Sequence, residues 1–404
     1  MHPGSGLQEG PKSENIQARS DVIRAIPGDT IICPKNETGE KMRIGLAYAT
    51  ALQLLVLPGL AAAQIRQPTE KPPVLTLAGS IPLAKVDGRL DHMSADLKGQ
   101  RLFSAAYDNH TLEVIDLKAS KVVKELDLNE PQNSSYFPSI NRLFVSSSGD
   151  GTVKIFDATT FALVNTVQLS SDADNMRFDA RRNHVLVDYG GEKFLYGKVQ
   201  GREGEKDGAV AVLDLDGKNL AQLPTGGHPE ALQLEETGHR IFINSPDNHY
   251  IVVADLDTNK VLAHWANPKC ENYPMALDEA HHRVFVFCRG ASVVSVVDTE
   301  TGMQVTSIPV TPLSTSDDMF FDPTKNRLYI LSRLLLEKNF RADGPGIVDV
   351  IHEQDPDHYE KIATYTTGLG AQTGLFVPEW QKLFVAVRRQ PTGQSAEILI
   401  YDAK

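Results

Sequence analysis

The chain has 404 residues with a formal net charge of -12, and 41% of them are hydrophobic. That size allows two ordinary domains, or one long all-β ring, so internal repeats have to be sought first. The acidic balance argues against broad nucleic-acid binding, which needs a basic surface to displace counterions from phosphates.

Residues 1–41 are polar, rich in Gly and Pro and without periodicity, and they read as a disordered upstream extension with Met42 as the start. From there "KMRIGLAYATALQLLVLPGLAAAQ" sets Lys41 and Arg43 before an apolar run, Ile44 to Leu57, then Pro58, Gly59 and Ala61–Ala63. This is the layout of a signal peptide over 42–63 with a cut after Ala63. The alternative is an uncleaved anchor, which Gln53 and Pro58 oppose by interrupting a run already short for spanning. Export predicts a periplasmic or secreted protein with no membrane span after cleavage. It also leaves Cys270 and Cys288 in an oxidising compartment.

Beyond residue 64 the chain repeats. "QRLFSAAYDN", "NRLFVSSSGD", "NHVLVDYGGE", "HRIFINSPDN", "HRVFVFCRGA", "NRLYILSRLL" and "QKLFVAVRRQ" align on Arg101, Arg142, His184, Arg240, Arg283, Arg327 and Lys382. Successive anchors differ by 41, 42, 56, 43, 44 and 55 positions, a basal period just above forty with polar insertions near 192–208 and 334–346. Each anchor strand is followed by a β-branched strand, an Asp-centred turn (Asp116, Asp157, Asp214, Asp255 or Asp298) and an outer strand. The pattern predicts an all-β chain: one seven-bladed β-propeller of four-stranded antiparallel blades over 64–404. The last copy lacks an outer strand, and a spare strand at 73–84 precedes the first copy. Pairing the two would close the ring and remove two exposed edges.

These units resemble the YVTN-type β-propeller repeat family, and "RIFINSPDNHYIVVADLDTNKVLAHW" from Arg240 to Trp265 carries the resemblance best. The likeness covers nearly all of 73–404. It implies a binding or surface module, with DNA a partner of some members, which the net charge opposes here.

In a propeller the loops entering the inner strands share one rim with the loops leaving the second strands. The entering loops carry Asp91 and His92, Gln132, Asp174 and Asn175, His228 and Glu230, Asn272, Asp317 and Asp318, and Gln372 and Thr373. Tyr107, Asn109, Asn244, Arg289, Arg333 and Arg388 leave the second strands. The paired aspartates are expected in a solvated channel mouth, because buried unpaired carboxylates are costly. The bland reading has them capping backbone N–H groups or pairing with Arg333.

Two functions fit this rim. One is a non-catalytic module that holds a small anionic ligand or a partner peptide with Arg289, Arg333 and Arg388, helped by His92, His228, Asp317 and Gln372. The other is a hydrolase resembling gluconolactonase-type propeller lactonases. That resemblance implies a divalent cation, Ca²⁺ by ligand type, on Asn175, Glu230 and Asp318, with Asp317 or His228 as base. His228 fits a hydrogen-bonded loop histidine equally well.

No C-x-x-C-H, zinc-spaced C-x-x-C, H-E-x-x-H or Walker motif occurs, so a haem or quinone enzyme has no attachment signal. "GLGAQTG" at 368–374 reads as a loop, His281 and His282 as solvated turn residues, and Trp380 as a packing residue. Cys270 and Cys288 flank the first two strands of one blade and can bond if the register brings their Cα atoms within about 7 Å.

Overall fold

The computed structural model describes residues 73–404 except 192, 196–197, 201–203, 206, 268 and 337–342. The extension and signal segment expected over 1–63 lie outside the described residues. Seven four-stranded antiparallel sheets form the blades of a β-propeller. Blade 1, for example, runs inner to outer as Met93–Asp96, Arg101–Ala106, Thr111–Asp116 and Lys121–Asp127. The inner strands of blades 2 to 7 are Pro131–Phe137, Met176–Asp179, Leu232–Leu234, Asn272–Asp278, Ser314–Asp322 and Gly374–Val377. The polar insertion of blade 3 adds a two-stranded sheet, Lys193–Leu195 with Lys198–Gln200.

Local chemistry explains the repeat. The residue before the anchor adopts positive φ in six copies: Gln100, Asn141, Asn183, His282, Asn326 and Gln381. Asn and His are among the non-glycine residues that best tolerate this conformation, so an Asn, Gln or His precedes the basic anchor. The anchors in turn lash blades together. Arg101 donates to Ala158 O, Arg240 to Thr299 O and Arg283 to Pro356 O, each in the following blade. Turn aspartates cap their own loops: Asp157 accepts the N–H groups of Thr159 and Thr160, and Asp298 those of Glu300 and Thr301. The structural role expected of them holds.

Packing follows the same repeat. Alternating apolar residues of neighbouring blades mesh into inter-blade clusters, such as Phe285, Phe287, Met319 and Ile330 between blades 5 and 6. Trp380 packs against the cluster shared by blades 7 and 1. The ring closes as predicted, because Leu75–Leu83 pairs antiparallel with Ala396–Ala403 and supplies the fourth strand of blade 7. Cys270 and Cys288 form a disulfide with Cα atoms 4.5 Å apart. A bulge between Asn272 and Met275 accompanies that pairing. No helix among the described residues is long and apolar enough to cross a membrane.

Candidate functional site at one end of the channel

The loops entering the inner strands form a belt of polar contacts, each blade bonded to the next. Thr373 donates to Leu90 O, and the His92 N–H to Gln132 O. Gln132 donates to Asp172 at 3.3 Å, and the Asn175 amide to Glu230 O at 2.7 Å. Asn244 reaches Tyr273 O, Arg289 holds Ser316 O, and the Asp318 N–H donates to Gln372 O. Such a belt requires all these residues at the same end of the propeller.

Its centre is His92. Nδ1 lies 3.0 Å from Asp318 Oδ1, while Nε2 lies 3.6 Å from Asp91 Oδ1, 3.8 Å from Asp174 Oδ1 and 3.3 Å from Asn175 Nδ2. An Asn175 hydrogen aimed at Nε2 would suit the neutral ring, whereas three carboxylates favour the imidazolium. Burial also opposes the charge, but Asp318, Asp91 and Asp174 outweigh it and raise the His92 pKa to about 10. His92 is therefore a buried cation near neutral pH.

The acids around it respond in the opposite sense. Burial raises Asp174 to about 8 against the pull of His92, with Asp91 and Glu230 adding to the rise. Burial, then the charges of Asp174 and Glu230, push Asp188 well above the usual carboxylate range. Neither Asp188 oxygen has a hydrogen-bond partner among the described residues. His228 faces the same acids, with Nε2 3.6 Å from Glu230 and 3.8 Å from Asp172, and its Nδ1 donates to Gly190 O.

Asp317, next in the chain to Asp318, belongs to a second sub-network. Asp317 pairs with Arg289 and accepts from Gln372, whose Oε1 takes the Arg333 Nε–H at 2.8 Å. The Arg289 guanidinium also stacks 3.0 Å above the Tyr273 ring. Arg388 stands half-buried beside Gly370.

The solvated mouth expected for the aspartates is corrected. The Asp318 side chain is 12% exposed and Asp317 20%, because Asp318 is engaged by His92 and the Gly374 N–H, and Asp317 by Arg289 rather than Arg333. Cross-blade pairing removes the cost that made a solvated setting look necessary. Capping of backbone N–H groups, the bland reading, is met in part at Gly374.

Asn175, Glu230 and Asp318 do not turn their side chains on one point. The His92 ring fills the space between Asn175 and Asp318, and Glu230 Oε1 faces His228. A divalent cation on this trio does not fit unless His92 moves.

Below the belt the inner strands enclose a cavity of about 410 Å³, reaching from His92, Asn175 and Asp318 to Leu97 and Glu379. Arg177 lines it, and burial lowers its pKa although the charges of Asp318, Asp188 and Asp174 oppose the drop. Its side chain donates to its own strand at Met176 O and forms no ion pair among the described residues. Ser94 and Ser134, joined at 2.8 Å, share the wall with Gln233, Phe320 and Phe376. Arg177 escapes a reading of loops because it sits inside a strand. The available signal is a basic residue in the middle of an inner strand, Met176–Asp179, whose other charge, Asp179, belongs to the repeat.

Fold and site define a seven-bladed β-propeller with a charge-dense channel. No family model matches the chain. It resembles the uncharacterized protein YncE of Salmonella typhimurium strain LT2 and of Salmonella typhi, each 26% identical over 190 residues, 46% of this chain and 48% of the relative. The match thus spans about half the length of these curated relatives, and their names carry no activity.

Proposed function

We propose that the protein is an exported binding propeller that holds a small anionic solute in its channel, with Arg177 as the charged anchor. One observation carries this reading: a guanidinium without an ion pair among the described residues lines a cavity of about 410 Å³. Desolvating that cation is unfavourable, and a carboxylate or phosphate would offset the cost through charge-assisted, bidentate hydrogen bonds. Hydroxyls of Ser94 and Ser134 and the Gln233 amide can orient the ligand, while Phe320 and Phe376 suit an apolar portion. The volume suits a small molecule better than a peptide chain.

This places the anion against Arg177 instead of against Arg289, Arg333 and Arg388, since Asp317 already neutralises Arg289. Export to a periplasmic or extracellular location is part of the proposal. The Cys270–Cys288 disulfide supports it, as such bonds persist in oxidising compartments. The test is a calorimetric and thermal-shift screen of sugar acids, lactones, short carboxylates and phosphates on wild type and Arg177→Gln. Anion binding lost in the variant is expected; equal binding by both would remove the reading.

A further inference from the structure

At the other end of the inner strand of blade 5, Asp278, His281 and Glu353 bring their ligand atoms within 4.8 Å of one another across the boundary with blade 6. His281 Nδ1 lies 2.6 Å from Asp278 Oδ2 and 3.7 Å from Glu353 Oε1. His281 was expected to be a solvated turn residue. Its side chain is indeed 42% exposed, but the ring is turned onto two buried carboxylates, 3% and 1% exposed.

Glu353 is the informative member. Neither of its oxygens has a geometric hydrogen-bond partner among the described residues, and burial, with the neighbouring Asp278 carboxyl adding to it, raises its pKa to about 7. Arg283, the nearest guanidinium in the turn, is committed to Asp298 and Asp357. An ionised carboxylate in that position is costly unless a cation matches it. Register makes the residue stranger still. In five of the other blades one third-strand residue faces the anchor, and the next residue is Leu117, Ala158, Leu256, Thr299 or Ala403; in blade 3, continuing the Val185–Leu213 register by one step sets Asp214 opposite His184, and Leu215 follows. In blade 6 His352 faces Arg327, so Glu353 fills a position that is otherwise apolar or Thr. The fold itself does not ask for a carboxylate there.

His281 is equally particular to its blade, because the matching turn positions hold Gly99, Ile140, Arg182, Gly238, Lys325 and Trp380. Asp278, by contrast, belongs to the repeat: Asp96, Asp179, Glu235 and Asp322 occupy its position elsewhere. Two additions to one shared acid have assembled an imidazole and two carboxylates.

We propose that Asp278, His281 and Glu353 bind a divalent transition-metal ion, zinc best matching this donor set. One imidazole nitrogen with two carboxylate oxygens is a familiar zinc environment, and the ion's two positive charges would match both acids. Binding through Nδ1 requires that nitrogen without a proton, and any proton it carries would leave to solvent as the metal takes its place. Exposure of the imidazole provides the way in. This site is independent of the channel proposed above.

The test is zinc titration calorimetry and melting of the chelator-treated, full exported protein. Wild type should bind one zinc ion per chain and melt higher with zinc. Glu353→Leu installs the residue found in blades 1, 3 and 4, so it should fold, while zinc affinity falls at least ~10-fold, the loss typical even for an outer-sphere partner. His281→Gln should lose affinity likewise. His282→Asn, which keeps a residue suited to φ +57°, should bind zinc as wild type does. No zinc binding by wild type, or binding that survives both Glu353→Leu and His281→Gln, overturns the proposal.

Discussion

His92 Nδ1 lies 3.0 Å from Asp318 Oδ1, joining blade 1 to blade 6 although 226 residues separate them in the chain. This contact skips over blade 7, whereas most belt contacts join adjacent blades. It makes closure of the ring and the charge state of its centre parts of one problem.

The pH dependence follows with a definite sign. His92 has a folded pKa of about 10 against 6.5 when unfolded, so its stabilisation is complete below pH 6.5 and is lost as pH rises through 10. Asp174 is raised from 3.8 to about 8, so its ionisation disfavours the folded state over that interval. Both tilt the same way. Melting temperature should fall between pH 6.5 and 10, by an amount on the order of a few kcal/mol in stability. His92→Gln should lower stability at pH 6 and flatten that slope; an unchanged slope in the variant would show that other groups set it.

Closure rests on Leu75–Leu83, where Leu75, Ile81 and Leu83 are fully or almost fully buried. At roughly 1.5–3 kcal/mol per buried side chain, these three contribute as much as a typical domain's net stability. Deleting residues before 84 should therefore yield aggregated or unfolded protein, and Ile81→Ala alone should cost about 2–5 kcal/mol in denaturant titrations.

The disulfide closes a loop with a sequence separation of 18. Such a loop constrains the unfolded chain by about 3 kcal/mol. The Cys270→Ser, Cys288→Ser double variant should lose about 2–4 kcal/mol by urea unfolding. Oxidised wild type should show no reactive thiol from either residue under denaturing conditions.

Much of this architecture was legible because it is written locally and seven times. Strand alternation, the positive-φ residue before six of the anchors and the capping aspartate all act within one hairpin. Closure could be read because the last copy ended one strand short. The belt was legible as a set of loop positions, which topology assigns. Its pairings were not, since whether Asp317 meets Arg289 or Arg333 depends on side-chain reach between blades. Arg177 is not legible in the same way, because a charged strand residue has the same pattern whether it faces a channel or solvent. Glu353 escaped because the insertion at 334–346 hides the register that sets it beside Leu117 and Leu256.

The channel and belt arginines provide the sharpest comparison. Arg289 is bonded to Ser316 O, paired with Asp317 and stacked on Tyr273, so Arg289→Gln would remove the charged partner of a partly buried carboxylate, leaving it only the Gln372 amide. That should cost stability, up to about 3–5 kcal/mol, the value for a fully buried pair, with solute affinity little changed. Arg177 lines the cavity and forms no ion pair among the described residues. Arg177→Gln should leave the melting temperature equal or higher, because a partly desolvated cation is removed. It should also weaken anion binding by roughly 1.5–3 kcal/mol, the value of a charged hydrogen bond. Melting curves and titration calorimetry on the two variants measure both quantities. The reverse assignment, affinity lost in Arg289→Gln and kept in Arg177→Gln, would move the ligand from the channel to the belt.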